Sequence, residues 1–274
     1  MCTLTFIAID HGGVRLVHSR DEQRSRSDGL PPTEWTSGGY RLVSPRDPDA
    51  GGTWVAGRDD GVILAVMNRN PEPPPALDRS SLRSRGLLIE SLAARPPAEL
   101  PDALGSIEAS RFAPFRAFAA IPAANGDAPQ IWAAEWDRSA PSPDAVPVVT
   151  RHTPPVCWAS SGLGDSIVAD RVPLFDETVA ASPTPDEQDA YHRHAWEGRG
   201  AASVWMSRAD ARTVSITTVE AFPTPGDGES ATDADRVRIT CLPLHAGATP
   251  DAPMTAGDPA SATLQARNLA SRGG

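Results

Sequence analysis

The sequence predicts an α+β fold on three observations: two β-hairpins within the first 68 residues, helical periodicity confined to the middle, and alternating strands that return before residue 245. Thr3-Leu4-Thr5-Phe6-Ile7-Ala8-Ile9 is apolar and β-prone, Asp10-His11-Gly12-Gly13 reads as a turn, and Val14-Arg15-Leu16-Val17-His18 alternates with period two. A second hairpin joins Gly52-Thr53-Trp54-Val55-Ala56 to the run 62–68 through Arg58-Asp59-Asp60-Gly61. Residues 86–94 carry a helical apolar face, with Ser84 as N-cap and Pro96 as stop, and a short helix is expected around 97–109. Strands are expected near 115–121, 130–136 and 146–150. Asp165 is placed to cap a helix running to about 180, residues 202–208 and 213–221 to form a hairpin around 209–212, and 236–242 to form a last strand.

Composition narrows the function classes. The chain has 274 residues, 40% of them hydrophobic, which suffices for a sizeable core. Its net charge of -10 argues against tracking a phosphate backbone, because that needs clustered Lys and Arg. No run approaches the ~20 apolar residues of a membrane span, and Met1-Cys2-Thr3-Leu4-Thr5 lacks the basic start of a secretory signal, so a cytoplasmic location is expected. Cys2, Cys157 and Cys241 are too scattered for a disulfide framework or a zinc site. His192 and His194 stand two apart, which favours exposed polar residues near a helix end over a metal pair, and Cys157 beside Trp158 reads as packed core.

The 28 prolines and 22 glycines are mostly spread between short elements. Residues 69–79, with Pro71, Pro73, Pro74 and Pro75, read as a stiff extended excursion. From about residue 246 the chain is small and polar, so one domain over 1–245 and a flexible tail over 246–274 are expected. No GxGxxG or GxxxxGK[ST] loop offers a nucleotide its glycine turn.

Cys2 is the leading candidate for chemistry. Removal of Met1 would give it a free α-amino group, whose ordinary pKa of about 7.7–8.0 suits a general base at working pH. One residue would then supply nucleophile and base together. The bland alternative is a small buried hydrophobe at the start of a strand. If 2–9 and 14–19 pair, Arg20 and Asp21 fall just beyond the strand end that faces Cys2. A cation there lowers a thiol pKa and a carboxylate orients an ammonium.

Met1-Cys2-Thr3, Ser19-Arg20-Asp21-Glu22, Gly51-Gly52-Thr53-Trp54, Asn68 and Ser84-Arg85-Gly86-Leu87 occur in the order seen in the NRDE family, which includes transport and Golgi organisation protein 2. Ser160-Ser161-Gly162-Leu163-Gly164-Asp165 and Ala211-Arg212-Thr213-Val214-Ser215 also resemble its bacterial members. Ser19 stands where the name-giving Asn would be, which puts a hydrogen bond from position 19 in question more than the fold. The family is similar in architecture to N-terminal-nucleophile hydrolases, so the resemblance implies a four-layer αββα sandwich. It further implies that Cys2 attacks a carbonyl, that Asp21 and Arg20 hold the amine and the substrate, and that Asn68 donates to an oxyanion. Gly51 and Gly52 would let backbone approach the site, with Thr53 and Trp54 beside it, although an indole is more often core than a ligand platform.

Two function classes compete. One is an N-terminal-cysteine hydrolase of a C–N bond in a small acyl substrate, which requires no cofactor. The other, implied by the family, is a non-catalytic carrier of haem or of lipid and acyl-coenzyme A. Haem would need an axial ligand, for which His11, His18 and Cys2 are candidates the sequence does not rank. A structural remnant of the fold is the third reading.

Overall fold

The computed structural model describes residues 2–123, 127–139, 145–223, 235–244 and 260–265. The chain opens with β1 (Cys2–Ile9) and β2 (Gly13–Gln23), then β3 (Leu30–Ser37), β4 (Tyr40–Arg46), β5 (Val55–Arg58) and β6 (Ile63–Asn68). Helices α1 (Leu87–Ala93) and α2 (Leu100–Gly105) precede β7 (Phe115–Ile121), β8 (Gln130–Trp136), β9 (Val148–His152) and β10 (Val156–Ser160). After α3 (Arg171–Phe175) and α4 (Pro185–His192) come β11 (Ala211–Ala221), β12 (Asp235–Pro243) and β13 (Ala260–Gln265).

These strands make two antiparallel sheets, one in the order β10-β1-β2-β11-β12-β13 and the other β3-β4-β5-β6-β7-β8-β9. Side chains alternate across a strand, and β1 uses both directions. Leu4 and Phe6 enter an apolar layer between the sheets, where they meet Val55, Ile63 and Phe118 of the second sheet. Ile7 points the other way, against Phe175 of α3 and Tyr191 of α4. On the far face of the second sheet, Leu88 and Leu92 of α1 and Leu100 and Leu104 of α2 cover Leu64, Val66 and Phe115. The layers therefore run helix, sheet, sheet, helix, which explains why strands buried on both faces read as continuous apolar runs. Gly57 in β5 shows how close the sheets approach: a Cβ there would lie 2.2 Å from Val237 Cγ1 of β12. Gly57→Val is expected to destabilise the protein by about 1–3 kcal/mol, read as a lower urea midpoint at unchanged m-value.

Both predicted N-terminal hairpins form, the second with its first strand shifted from 52–56 to Val55–Arg58, and the strands expected at 115–121 and 130–136 span those residues. Elsewhere the structure departs from the sequence reading. Residues 202–206 are all buried, without the alternation of a half-buried strand, and the expected hairpin reduces to β11 plus a single bridge between Ser207 and Arg212. The helix expected from 165 to 180 is broken into a 3-10 turn, α3 and a wide π-type turn. Likewise the helix around 97–109 contracts to α2 between two 3-10 turns. Strands β3 and β4 were not foreseen, since Pro31 and Pro32 argue against a strand. The sheet admits them because β3 is its edge, with a register shift between Leu30 and Thr33. Within the expected flexible tail, Ala260–Gln265 pair with β12 and Leu264 is fully buried, so tertiary packing overrides the polar composition there. The rest of that tail lies outside the described residues. Among the described residues, no helix is long and apolar enough to cross a membrane.

Candidate active site

Pairing of β1 with β2 sets Arg20 directly opposite Cys2. The strand thus continues through Arg20 and Asp21 instead of ending before them, as the sequence reading had it. On its other side Cys2 faces Ser160 of β10. Because neighbouring side chains of a strand diverge, Arg20 and Asp21 are held from opposite layers. Arg20 lies 4.7 Å over the Trp54 ring and its Nη2 donates to Asp47 Oδ2 at 3.0 Å. Asp47 also accepts from Arg26 Nη2 at 2.7 Å, so one turn carboxylate fixes both guanidiniums. Arg20 Nη1 is buried and has no partner among the described residues.

Asp21 is 1% exposed and points to the helix layer. Thr213 Oγ1 donates to it at 2.7 Å and Arg171 Nη1 at 3.3 Å. That same Arg171 nitrogen donates to Thr3 Oγ1 at 2.6 Å, while its Nε holds the Ala202 carbonyl. A bulge in β11 between Thr213 and Ser215 falls opposite Asp21 and Arg20, which re-aims the ladder at this step. Burial raises the Cys2 thiol above its ordinary pKa, with Asp21 adding to the rise and Arg20 opposing it. At neutral pH the group is S–H, so a nucleophilic role needs a base.

These residues open on a cavity of about 950 Å³ at the mouth between the two sheets. Cys2, Arg20, Asp21, Asn68, Gly52, Thr53 and Trp54 all line it. Asn68 ends β6 opposite Phe115, and its amide bonds no described residue, unlike an amide that merely closes a strand. Gly52 admits the backbone of Gly86, which a Cβ would meet at 2.7 Å. Gly51 does not line the cavity: it is exposed, in the left-handed conformation (φ +73°) of the turn its N–H closes onto the Asp47 carbonyl. Trp54 serves the core and the site at once: it is buried among the inter-sheet residues, donates to Thr217 Oγ1 at 3.3 Å and carries Arg20 on its ring.

The proline-bearing excursion forms another wall through Pro71, Pro74, Pro75 and Leu77. Asn70 fastens it, a residue the sequence reading passed over: its Nδ2 donates to Ser160 Oγ at 2.9 Å, and its backbone exchanges bonds with Asp165. Arg171, too, went unnoticed, since nothing in its local sequence signals a partner 150 residues away. His192 corrects the expectation of an exposed helix end: it is fully buried, with Nδ1 2.7 Å from Ser19 Oγ and Nε2 2.8 Å from Thr5 Oγ1. Ser19, the departure from the family motif, thus ties α4 to β2. His194 goes elsewhere, its ring packing against Trp196. His11 and His18 do not line the cavity: His11 is in the hairpin turn and His18 is fully buried in β2. Cys157 contacts Tyr191 Oη at 3.3 Å, and burial pushes its thiol up to about 12.

A family model matches over the segment that carries the motifs from Cys2 to Leu87. Residues 1–121 match the family Transport and Golgi organisation 2. This bears out the NRDE resemblance over the segment that carries Cys2, Arg20, Asp21 and Asn68. No curated protein matches the sequence of the chain. Among solved structures, a Caenorhabditis elegans ortholog of N-acylethanolamine-hydrolyzing acid amidase superposes with a TM-score of 0.50 at 10% identity, covering 83% of this chain and 94% of that one. Penicillin V acylase from Agrobacterium tumefaciens gives a TM-score of 0.47 at 14% identity, covering 89% and 92%. Likeness to the acid amidase is a likeness of fold, and the fold is that of the N-terminal-nucleophile hydrolases. Both the Transport and Golgi organisation 2 match and this fold agree with the resemblance read from the sequence.

Proposed function

We propose that the chain is an N-terminal-cysteine hydrolase acting on the C–N bond of a small acyl amide. The observation that carries this reading is the joint placement on one cavity of Cys2, Arg20, Asp21 and an Asn68 amide that bonds no described residue. Removal of Met1 gives Cys2 a free amine, which takes the Sγ proton as Sγ attacks the carbonyl carbon. The carbonyl oxygen becomes an oxyanion that accepts from the Asn68 amide and from Arg20 Nη1. Asp21 stabilises the ammonium formed, and the ammonium returns its proton to the nitrogen as the C–N bond breaks. The amine leaves and a thioester remains on Cys2. Water, deprotonated by the same amine, then cleaves the thioester to the carboxylic acid and restores the thiol.

Fold and family support this reading. So does the buried thiol, because a cysteine that burial keeps protonated has use for an adjacent base. The direct test is incubation with an activated amide followed by intact-mass analysis. An acyl adduct on Cys2 of protein lacking Met1 is the expected result; an adduct elsewhere, or none with any amide tried, would remove the reading. Asn68→Ala is expected to lower kcat by about 10²–10³-fold, equivalent to about 2.7–4 kcal/mol, with little change in KM, as for loss of an oxyanion donor. Steady-state kinetics on the amide that acylates Cys2 fastest would check it.

A further inference from the structure

The same cavity has an uneven wall. Four of the arginines that line it are neutralised: Arg20 and Arg26 by Asp47, Arg69 by Glu135 at 3.2 Å and Asp137 at 3.3 Å, and Arg208 by Asp210 at 2.7 Å. Arg83 differs. It lines the cavity and is exposed, and no described carboxylate lies within ion-pair distance of it. Its guanidinium lies 5.9 Å from the Phe112 ring. Nor does the segment drift: Arg83 N–H bonds the Arg111 carbonyl at 2.9 Å, Arg85 Nη1 holds the Pro114 carbonyl at 2.9 Å, and Gly86 packs on Gly52. A cation is thus presented from a pinned backbone on the cavity that Pro74, Pro75, Leu77 and Leu82 also line.

In a protein of net charge -10, an arginine with no described counter-charge on a concave, partly apolar wall is a recognition group for an anion, because guanidinium pairs with carboxylate in bidentate fashion. We infer that the preferred substrate is an acyl amide carrying a carboxylate, of the N-acyl amino acid class, with the carboxylate held by Arg83 and the aliphatic part on the proline-bearing wall. This inference rests on the hydrolase reading for its scissile bond, but the binding preference is independent of turnover.

The experiment compares N-hexanoylglycine with N-hexanoylethanolamine, which share the acyl group and the scissile amide and differ in charge. Wild-type kcat/KM is expected to favour the acid at least tenfold, with the ratio shrinking in 0.5 M salt as an exposed ion pair is screened. Arg83→Ala should collapse that ratio by raising KM for the acid, and Arg83→Lys should restore part of it. Equal use of the two amides by wild type, or an unchanged ratio in Arg83→Ala, would overturn the inference. A second arm measures Kd for both compounds by calorimetry in the Cys2→Ala protein, with and without Arg83→Ala. Preference for the acid that depends on Arg83, beside a wild type that hydrolyses neither compound, would retain the carboxylate site and discard the hydrolase. Absence of an Arg83-dependent preference in this arm would discard the carboxylate site, whatever the turnover.

Discussion

Cys2→Ala is expected to lower amide hydrolysis by about six orders of magnitude, the size of loss seen when a nucleophile acting as part of a unit is removed. The fold should survive, because the change deletes one sulfur from a strand held by pairing on both sides. Its cost in stability is about 1 kcal/mol. Far-UV circular dichroism and urea midpoints of the two proteins separate lost chemistry from lost structure. The same loss is expected when the amine is blocked and the thiol left in place, as in a variant engineered to retain the initiator methionine. Full activity in either variant would sink the mechanism. The pH profile adds a sign: the raised thiol pKa means that a free thiolate is scarce at neutral pH. Activity that depends on the amine instead rises with pH through roughly 7.7–8, where an ordinary α-amino group loses its proton.

Those expectations draw on residues that local sequence marks, and the division between marked and unmarked residues has a physical basis. Alternation and turn chemistry are local, so β1, β2, β7 and β8 could be read directly, and the β1–β2 hairpin alone brings Arg20 to Cys2. Asn68 was legible as the polar end of an apolar strand. Asp21 was legible as a carboxylate near Cys2, but not as one half of a buried pair with Arg171, because that contact joins β2 to α3 across the whole second sheet in sequence. Asn70 was obscured by the prolines after it, which describe the stiffness of the segment and not what it is fastened to. The edge strand β3 hid behind Pro31 and Pro32 for the same reason: proline reports a missing donor, and only the position of the strand in the sheet decides whether that donor was needed.

Two histidines make the protein sensitive to acid, with an expected loss of about 3 kcal/mol of stability between pH 7.5 and pH 5.5. His192 is fully buried between Ser19 and Thr5, and burial, with Arg15, His18 and Arg171 adding repulsion, holds its pKa well below the ordinary value. His18 is lowered to about 3, again chiefly by burial, with Arg20 among the cations that oppose its charging. Both folded-state values lie below the unfolded value of about 6.5, so below that pH the unfolded chain binds more protons and stability falls as pH falls. Each histidine contributes about 1.4 kcal/mol at pH 5.5, and the loss continues to build until the folded form itself protonates, at about 3 for His18. Urea unfolding at the two pH values measures the total. His192→Gln should remove about half of the pH dependence, since glutamine does not titrate. A midpoint that does not move with pH would show that neither histidine is buried neutral, and one that moves equally in His192→Gln would show that His192 is not. The consequence reaches the site: His192 and Gln188 hold α4 to Thr5 and Ser19, on the strands that carry Cys2 and Arg20. Charging His192 therefore opposes the contacts that hold α4 behind the nucleophile strand, and acyl-adduct formation on Cys2 should fall further at the pH where α4 detaches.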